Sequence, residues 1–163
     1  MKLRALKPED IDAIDAWPPY PAEFGDLDYA LRVHGWINEY LHKPATWIYV
    51  AEDDGEQVGF SILSQTDPGR AELRIALHPG WIGRGVGRGI ARETLAKGFS
   101  ELKFEIIHLI VRLNNPRAIG LYESLGFNRQ GERTLEVNGR SVQFLAMEIG
   151  RDDMKEGARL GSR

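Results

Sequence analysis

Cysteine is missing from the 163 residues of this sequence, and histidine is scarce. Without thiols the chain forms no disulfide, no cysteine-based zinc site and no covalent intermediate on a thiolate. The histidines are scattered, and no two of them lie at the i, i+4 spacing with which one helix face holds a metal ion; they are His34, His42, His78 and His108. We therefore expect no metal site.

Long apolar runs and a strong excess of one charge are also absent. No stretch approaches the roughly eighteen apolar residues of a membrane-spanning helix. The formal net charge of -3 gives no general affinity for nucleic acid or for anionic membranes. The first eight residues include Lys2, Arg4 and Lys7, a start too short and too charged for a signal peptide. We expect a cytoplasmic protein with neither nucleic acid nor membrane as a partner.

The pattern of apolar residues and turns predicts one α/β (α+β) domain, since the length suits a single core. The expected elements are a strand at 2–7, helices at 8–16 and 28–41, strands at 46–52, 57–65 and 71–78, a helix reaching 99, a strand at 106–111, a helix at 116–125 and two strands around Asn138-Gly139. The helix between strands 71–78 and 106–111 predicts a right-handed βαβ crossover within a mixed central sheet flanked by helices. The domain should cover 1–150, and the charged tail 151–163 should be poorly ordered.

A glycine-rich turn follows the strand at 71–78 and reads Ile82-Gly83-Arg84-Gly85-Val86-Gly87-Arg88-Gly89. Alternate glycines let a backbone approach a ligand closely and adopt positive φ. A helix that begins near Gly85 directs unpaired N–H groups and its positive dipole end at that space, which suits a phosphate. Arg84 and Arg88 can add charge-assisted hydrogen bonds. The turn matches neither the dinucleotide-binding pattern nor the P-loop, and a flexible surface loop is the alternative interpretation.

A second segment, after the strand at 106–111, has the signals of a well-built helix. Asn115 is a good N-cap, and Pro116 is a good first helical residue. Gly126 fits the left-handed position that ends a helix, with Phe127 packing back behind it. One face carries Ala118, Leu121, Tyr122 and Leu125. Taken alone, the segment predicts a structural helix in which Tyr122 is a core aromatic residue and Asn115 only a cap.

Together the two segments resemble the core motifs of the GNAT superfamily of N-acetyltransferases. The first family motif is Gln/Arg-x-x-Gly-x-Gly/Ala, and the second is Asn-x-x-Ala-x-x-Leu-Tyr-x-x-x-Gly-Phe. The second motif matches at each named position, which are Asn115, Ala118, Leu121, Tyr122, Gly126 and Phe127. The first departs at its opening residue, which is Ile82 here. Binding through backbone N–H groups should survive that change, whereas a side-chain contact from this position is lost.

The resemblance implies an acyltransferase that moves an acetyl group from acetyl-CoA, its cosubstrate, to a primary amine. It implies that backbone groups of Ile75, Ala76 and Leu77 pair with the pantetheine arm like an added strand. The turn from Ile82 to Arg88 would cradle the pyrophosphate, Asn115 would touch the cofactor, and Tyr122 would lie near its sulfur. A longer acyl-CoA, or a CoA-sensing domain without turnover, is the alternative.

Without cysteine, direct attack by the amine in a ternary complex is the simpler mechanism. The resemblance makes Tyr122 the candidate general acid, because an ordinary tyrosine pKa of about 10 keeps its hydroxyl protonated. A backbone N–H near Leu77 is a candidate oxyanion donor. Glu72 is the candidate base; the alternative is that it forms an ion pair with Arg74 or is a solvated strand residue. Family members that acetylate ribosomal protein N-termini carry a Glu five residues before the motif Asn, where this chain has Ile110.

In this superfamily the acceptor site is shaped by the segment between the first two helices and by the C-terminal hairpin, here Trp17–Asp28 and Leu135–Val142. The first segment combines aromatic and acidic side chains that would suit a cationic amine: Trp17, Tyr20, Glu23, Phe24, Asp26 and Asp28. Alternatively, the aromatic residues cap the core and the acids are solvated. A polyamine, an amino acid derivative, an amino sugar and a peptide or protein N-terminus remain open as acceptors, as does a homodimer.

Overall fold

The computed structural model describes residues 1–23, 30–31 and 35–154. Its helices and strands are β1 (Lys2–Ala5), α1 (Pro8–Asp15), α2 (Trp36–Tyr40), β2 (Thr46–Asp53), β3 (Glu56–Asp67), β4 (Arg70–Leu77), α3 (Val86–Ala96), β5 (Ile106–Arg112), α4 (Pro116–Leu125), β6 (Asn128–Val137) and β7 (Arg140–Gly150). Short 3-10 turns at 79–81 and 151–153 and a π-helical turn at 97–101 complete the described elements.

The seven strands are hydrogen-bonded in the order β1-β2-β3-β4-β5-β7-β6. Strand β4 pairs with β5 in parallel, and the chain passes between them through α3. The pairs β1–β2, β2–β3, β5–β7 and β6–β7 are antiparallel. The predicted mixed sheet with a central βαβ connection is confirmed.

The predicted helix at 28–41 is shorter in the structure, where α2 covers Trp36–Tyr40. Ala30 and Leu31 are buried but lie outside any α-helix. Positions 28, 29 and 32–34 lie outside the described residues, as does the end of the predicted tail from 155 onward. Of the residues whose spacing predicted the helix, Trp36, Ile37 and Tyr40 lie in α2, whereas Tyr29 and Val33 lie outside the described residues.

Internal packing divides the chain into two compact units, and β4 contributes residues to each. The first contains Met1–Gln65 and Leu73–Thr94. It has one apolar cluster formed by α1, α2, β2 and β3, and Ala76 of β4 belongs to it. A second cluster contains Val58 and Ile90 and is packed against Ile75 and Leu77. Neighbouring residues of β4 thus face opposite sides of the sheet, since Ala76 joins one cluster while Ile75 and Leu77 pack against the other.

The second unit contains Thr66–Glu72 and Leu95–Arg163. In β5, Ile107, Leu109 and Val111 are buried, while His108 and Ile110 on the other face are half-buried. The hairpin β6–β7 turns at Asn138-Gly139, where both residues have the positive φ, 51° and 78°, that a tight hairpin turn requires. Its β6 strand is exposed from Asn128 to Glu136.

Candidate functional site

The glycine turn divides its glycines between two structural roles. Gly83 and Gly85 both have φ of +81°, a left-handed conformation that glycine adopts without steric cost. Gly87 and Gly89 lie within α3, which begins at Val86. A Cβ on Gly85 would meet nothing within 4 Å, so the space beside this residue is open. The first turn of α3 thus presents its N–H groups next to an open backbone segment.

Arginine side chains flank this open segment. Arg84 and Arg88 are both exposed, and the guanidinium carbon of Arg84 lies 4.0 Å from the ring centroid of Trp81. Trp81 packs against the apolar cluster of Val58 and Ile90. A cation held on an aromatic face loses little further freedom when it binds an anion. No sequence signal indicated Trp81 as a site residue, because its contact with Arg84 depends on the 3-10 turn at Pro79–Trp81.

Strand β4 pairs with β5 only through Arg70, Ala71 and Glu72. Towards the C-terminal end of β4, the direction of the peptide group between Ala76 and Leu77 can be assigned relative to β3. The carbonyl oxygen of Ala76 lies towards β3, 2.8 Å from where a Cβ on Gly59 would stand. Because a trans peptide holds its C=O and N–H on opposite sides, the N–H of Leu77 points away from β3. The edge of β4 away from β3 therefore carries a backbone donor at Leu77.

The segment after α1 reaches this end of β4. The hydroxyl of Tyr20 donates a hydrogen bond of 2.7 Å to the carbonyl oxygen of Leu77. Trp17 is buried in the core, with its ring centroid 5.0 Å from that of His78, so this residue caps the core, which was the alternative interpretation of the acceptor aromatics. Glu23 is exposed. Phe24, Asp26 and Asp28 lie outside the described residues.

Helix α4 in the second unit carries the matched motif. The side-chain oxygen of Asn115 accepts a hydrogen bond from the Ala118 N–H at 3.2 Å, so Asn115 is the predicted N-cap. Gly126 ends the helix with φ of +114°. The rings of Tyr122 and Phe127 meet edge to face, with centroids 5.4 Å apart. The predicted helix ends are confirmed.

Tyr122 is half-buried on α4, and desolvation by the surrounding protein raises its pKa to about 12. The hydroxyl is therefore protonated throughout the neutral range, and it can donate a hydrogen bond without competing ionisation. The arrangement suits a donor to a group that gains negative charge during a reaction.

Glu72 lies in a polar row that crosses the strands of the second unit. It stands beside His108 of β5, and His108 stands beside Glu148 of β7. The Nε2 atom of His108 is 2.8 Å from the hydroxyl oxygen of Thr66, and desolvation lowers the pKa of His108. Arg70 donates to Glu148 at 2.8 Å. Among the described residues, no cluster of three or more acidic or histidine side chains could hold a metal ion.

The predicted site residues thus fall into two sets. The first unit holds Ile75, Ala76, Leu77, Ile82, Gly83, Arg84, Gly85, Val86, Gly87 and Arg88, and the second holds Glu72, Asn115 and Tyr122. Within the first set, the strand end and the glycine turn follow each other directly in the chain. None of the described helices has the length and apolar composition to span a bilayer.

The mixed sheet, the glycine turn at a helix start and the separate helix with Asn115 and Tyr122 form the arrangement that the two motifs predicted for a CoA-dependent acyltransferase. The model of the acetyltransferase (GNAT) family matches residues 13–127, and the chain belongs to this family. It is an N-acetyltransferase, and acetyl-CoA is its acyl donor. The family, fold class, enzyme class and cofactor expected from the two motifs are confirmed.

Relatives cover most of the chain. Spermidine N(1)-acetyltransferase of Escherichia coli (strain K12) is 30% identical over 165 residues, which cover 90% of this chain and 84% of that protein. N-alpha-acetyltransferase RimI of Mycobacterium tuberculosis is 34% identical over 144 residues, covering 83% and 78% respectively. A solved structure of spermidine N-acetyltransferase from Vibrio cholerae in complex with CoA and spermine superposes with a TM-score of 0.71 at 25% identity, covering 93% of this chain and 96% of that one.

Proposed function

We propose that the chain transfers the acetyl group directly from acetyl-CoA to a primary amine bound at the same time. The main support for this proposal is the glycine turn, where Gly83 and Gly85, each with φ of +81°, precede the N-terminus of α3. Because the chain has no cysteine to form an acetyl-cysteine intermediate, direct attack of the amine on the thioester is the simpler mechanism. The rate is then gained by holding amine and thioester in attack geometry.

The cofactor is held mainly by backbone groups. The pyrophosphate lies against the turn from Ile82 to Arg88, where the N–H groups of the first turn of α3 converge and Arg84 and Arg88 supply positive charge. Ile82 contributes its backbone only. The pantetheine arm pairs with the β4 edge that faces away from β3, where Ile75 and Leu77 present their backbone groups. The carbonyl of Ala76, which the resemblance also assigned to this pairing, lies towards β3. The family resemblance assigns Asn115 to the same cofactor.

The N–H of Leu77 is the proposed oxyanion donor. It points away from β3, as the orientation of the Ala76 carbonyl requires. A donor fixed in a strand needs no reorganisation when the thioester oxygen gains charge, and removal of one such donor typically costs about 10²- to 10³-fold in kcat.

Tyr122 is the proposed donor to the departing thiolate. Its pKa of about 12 lies above the value of about 8.5 for an ordinary thiol. Full proton transfer to the sulfur is therefore uphill, and a hydrogen bond that stabilises the developing negative charge is the larger part of its contribution.

Glu72 is the proposed general base that takes a proton from the ammonium group of the acceptor. It is half-buried in a row that contains His108. A Glu72→Gln variant should keep its affinity for acetyl-CoA and lose turnover most strongly at low pH, where less of the amine is already neutral.

For the acceptor we propose a polyamine such as spermidine as the first candidate, because relatives that share 30% identity over 84% of their length are named for it. A peptide N-terminus is the second candidate, supported by the likeness to the M. tuberculosis enzyme. Exposed Glu23, in the acceptor segment, suits a substrate with several positive charges.

The test is release of free CoA thiol from acetyl-CoA in the presence of single amines: spermidine, a lysine derivative, an amino sugar and a peptide with a free N-terminus. The chain itself adds no cysteine background. Release above the amine-free rate with spermidine supports the proposal. Release only with the peptide replaces the acceptor assignment, and CoA binding without release from any amine supports the CoA-sensing alternative. Propionyl-CoA in the same assay measures the acyl-chain preference.

A cytoplasmic location and assembly as a homodimer stay predictions. Size-exclusion chromatography with light scattering would measure the oligomeric state, and cell fractionation would measure the location.

A further inference from the structure

The hydrogen bond between Tyr20 and Leu77 lies at the end of β4 where the acyl group is proposed to bind. The Tyr20 hydroxyl is 2.7 Å from the Leu77 carbonyl oxygen, although the two residues are 57 positions apart in the chain. The ring of Tyr20 packs against the apolar cluster that contains Ile14, Trp17 and Phe60. The hydroxyl is therefore held in place by packing as well as by its acceptor.

The direction of the Leu77 carbonyl follows from its peptide group. The N–H of His78, in the same peptide, donates to the carbonyl oxygen of Val58 in β3 at 2.9 Å. The peptide is trans, so the carbonyl of Leu77 points away from β3. The N–H of Leu77 points to the same side, as shown above from the Ala76 carbonyl. In an extended strand the N–H and C=O of one residue leave the same edge side by side.

This edge would present a donor and an acceptor together if Tyr20 were absent. The N–H attracts an acyl oxygen, whereas the neighbouring carbonyl oxygen repels it. With the Tyr20 hydroxyl on the carbonyl, the N–H is the group that remains to face a ligand oxygen.

We propose that Tyr20 is a positioning residue for acetyl transfer: by capping the Leu77 carbonyl, it makes the end of the β4 edge selective for the acyl oxygen of acetyl-CoA. The inference rests on the proposed cofactor site along β4 and adds to it a residue from the acceptor-shaping segment. Tyr20 acts through the backbone of Leu77 and needs no contact with the reacting atoms.

The test compares CoA and acetyl-CoA, which differ only in the acyl group. Calorimetric titration of the full chain gives dissociation constants for both ligands in the wild type, in Tyr20→Phe and in the control Tyr40→Phe. Tyr40 belongs to the same apolar cluster, and its hydroxyl accepts a hydrogen bond of 2.9 Å from the Arg74 side chain. Both substitutions keep the aromatic ring and remove a hydrogen-bonded hydroxyl.

In Tyr20→Phe, the dissociation constant for acetyl-CoA should rise about fivefold to tenfold, as expected when a carbonyl loses its donor. The constant for CoA should change less than about twofold, because CoA has no acyl oxygen to be repelled. Tyr40→Phe should leave the ratio of the two constants unchanged. With an accepted amine, kcat should also fall in Tyr20→Phe.

If the ratio of the dissociation constants for acetyl-CoA and CoA is unchanged in Tyr20→Phe, the positioning role is wrong. This holds whether both ligands bind as in the wild type or are weakened equally, and it leaves the proposed cofactor site intact. If the wild type binds neither CoA nor acetyl-CoA, the proposed function itself fails. A merely structural role would weaken both ligands together, so the ratio separates the two explanations.

Discussion

The carboxylate of Asp10 accepts two hydrogen bonds from the guanidinium of Arg4, at 2.7 and 2.8 Å. The same carboxylate accepts from the backbone N–H of Lys7 and from the side chain of Gln57. Asp10 is only 3% exposed. These donors, with the Arg4 hydrogen bonds foremost, lower the pKa of Asp10 to about 2. The pair fastens the start of α1 to β1.

Because the pKa of Asp10 falls from 3.8 to about 2 on folding, the unfolded chain binds the proton more tightly. The stabilisation is complete above about pH 5 and is lost progressively as the pH falls towards about 1, by about 2 kcal/mol in all. Urea unfolding from pH 5 to pH 2 would measure this slope. Asp10→Asn should be less stable at pH 7, and its free energy of unfolding should depend less on pH. Glu9→Gln removes an exposed carboxylate from the same helix and should leave the pH dependence unchanged. An equal slope in Asp10→Asn and wild type would contradict the assignment.

Substitution of Gly85 separates backbone strain from ligand contact. Gly85 has φ of +81° and Gly55, in the β2–β3 turn, has φ of +80°, and neither has an atom within 4 Å of a built Cβ. Alanine at either position should therefore cost a similar stability, about 1 kcal/mol. Only Gly85→Ala should also weaken CoA binding, by about tenfold or more, since its Cβ enters the space proposed for the pyrophosphate. Thermal melts and calorimetry on both variants provide the comparison. Equal CoA affinity in the two variants would remove the glycine turn as the phosphate site.

Local sequence signals predicted the features that depend on a few adjacent residues. Asn138-Gly139 predicted a turn between the two final strands, and both residues have positive φ, as do Asp54 and Gly55 between the strands predicted at 46–52 and 57–65. Asn115 and Gly126 predicted both ends of α4, because a cap and a left-handed residue act on backbone groups within one turn. Asn115 and Gly126 also belong to one of the two motifs on which the family resemblance rests, and with it the enzyme class and cofactor.

Contacts between distant residues left no such signal. Trp17 and Tyr20 are both aromatic and flank the same two prolines, so the sequence does not distinguish their roles. In the structure Trp17 is buried in the core, whereas the Tyr20 hydroxyl donates a hydrogen bond to the Leu77 carbonyl. The helical spacing over 28–41 predicted α2 but placed its start too early, since Ala30 and Leu31 are buried outside any α-helix and burial alone does not specify a helical backbone. Glu72 as the general base stays a prediction, because its role depends on where the acceptor amine binds.

The end of α4 provides a stability prediction with a matched pair. Gly126 and Gly131 have φ of +114° and +122°, respectively. A Cβ on Gly126 would collide with the carbonyl oxygen of Asp153, whereas one on Gly131 would meet nothing within 4 Å. We expect Gly131→Ala to cost about 1 kcal/mol and Gly126→Ala about 3 kcal/mol or more in urea unfolding. Equal losses would show that backbone strain, and not the collision with Asp153, sets the cost.

Replacement of Tyr122 by Phe tests the thiolate donor. The ring that meets Phe127 edge to face is kept, so the fold and the affinity for acetyl-CoA should be retained within about twofold, as for loss of a single hydroxyl that makes no ground-state bond. Turnover should fall by about 10²-fold, near the lower end of the range for a positioned acid, because a hydroxyl with a pKa of about 12 contributes mainly a hydrogen bond. Steady-state rates with an accepted amine, together with a separately measured dissociation constant for acetyl-CoA, distinguish a loss of turnover from a loss of affinity. Wild-type turnover in the variant would make Tyr122 a packing residue, whereas equal losses of rate and affinity would make it a cofactor-binding residue.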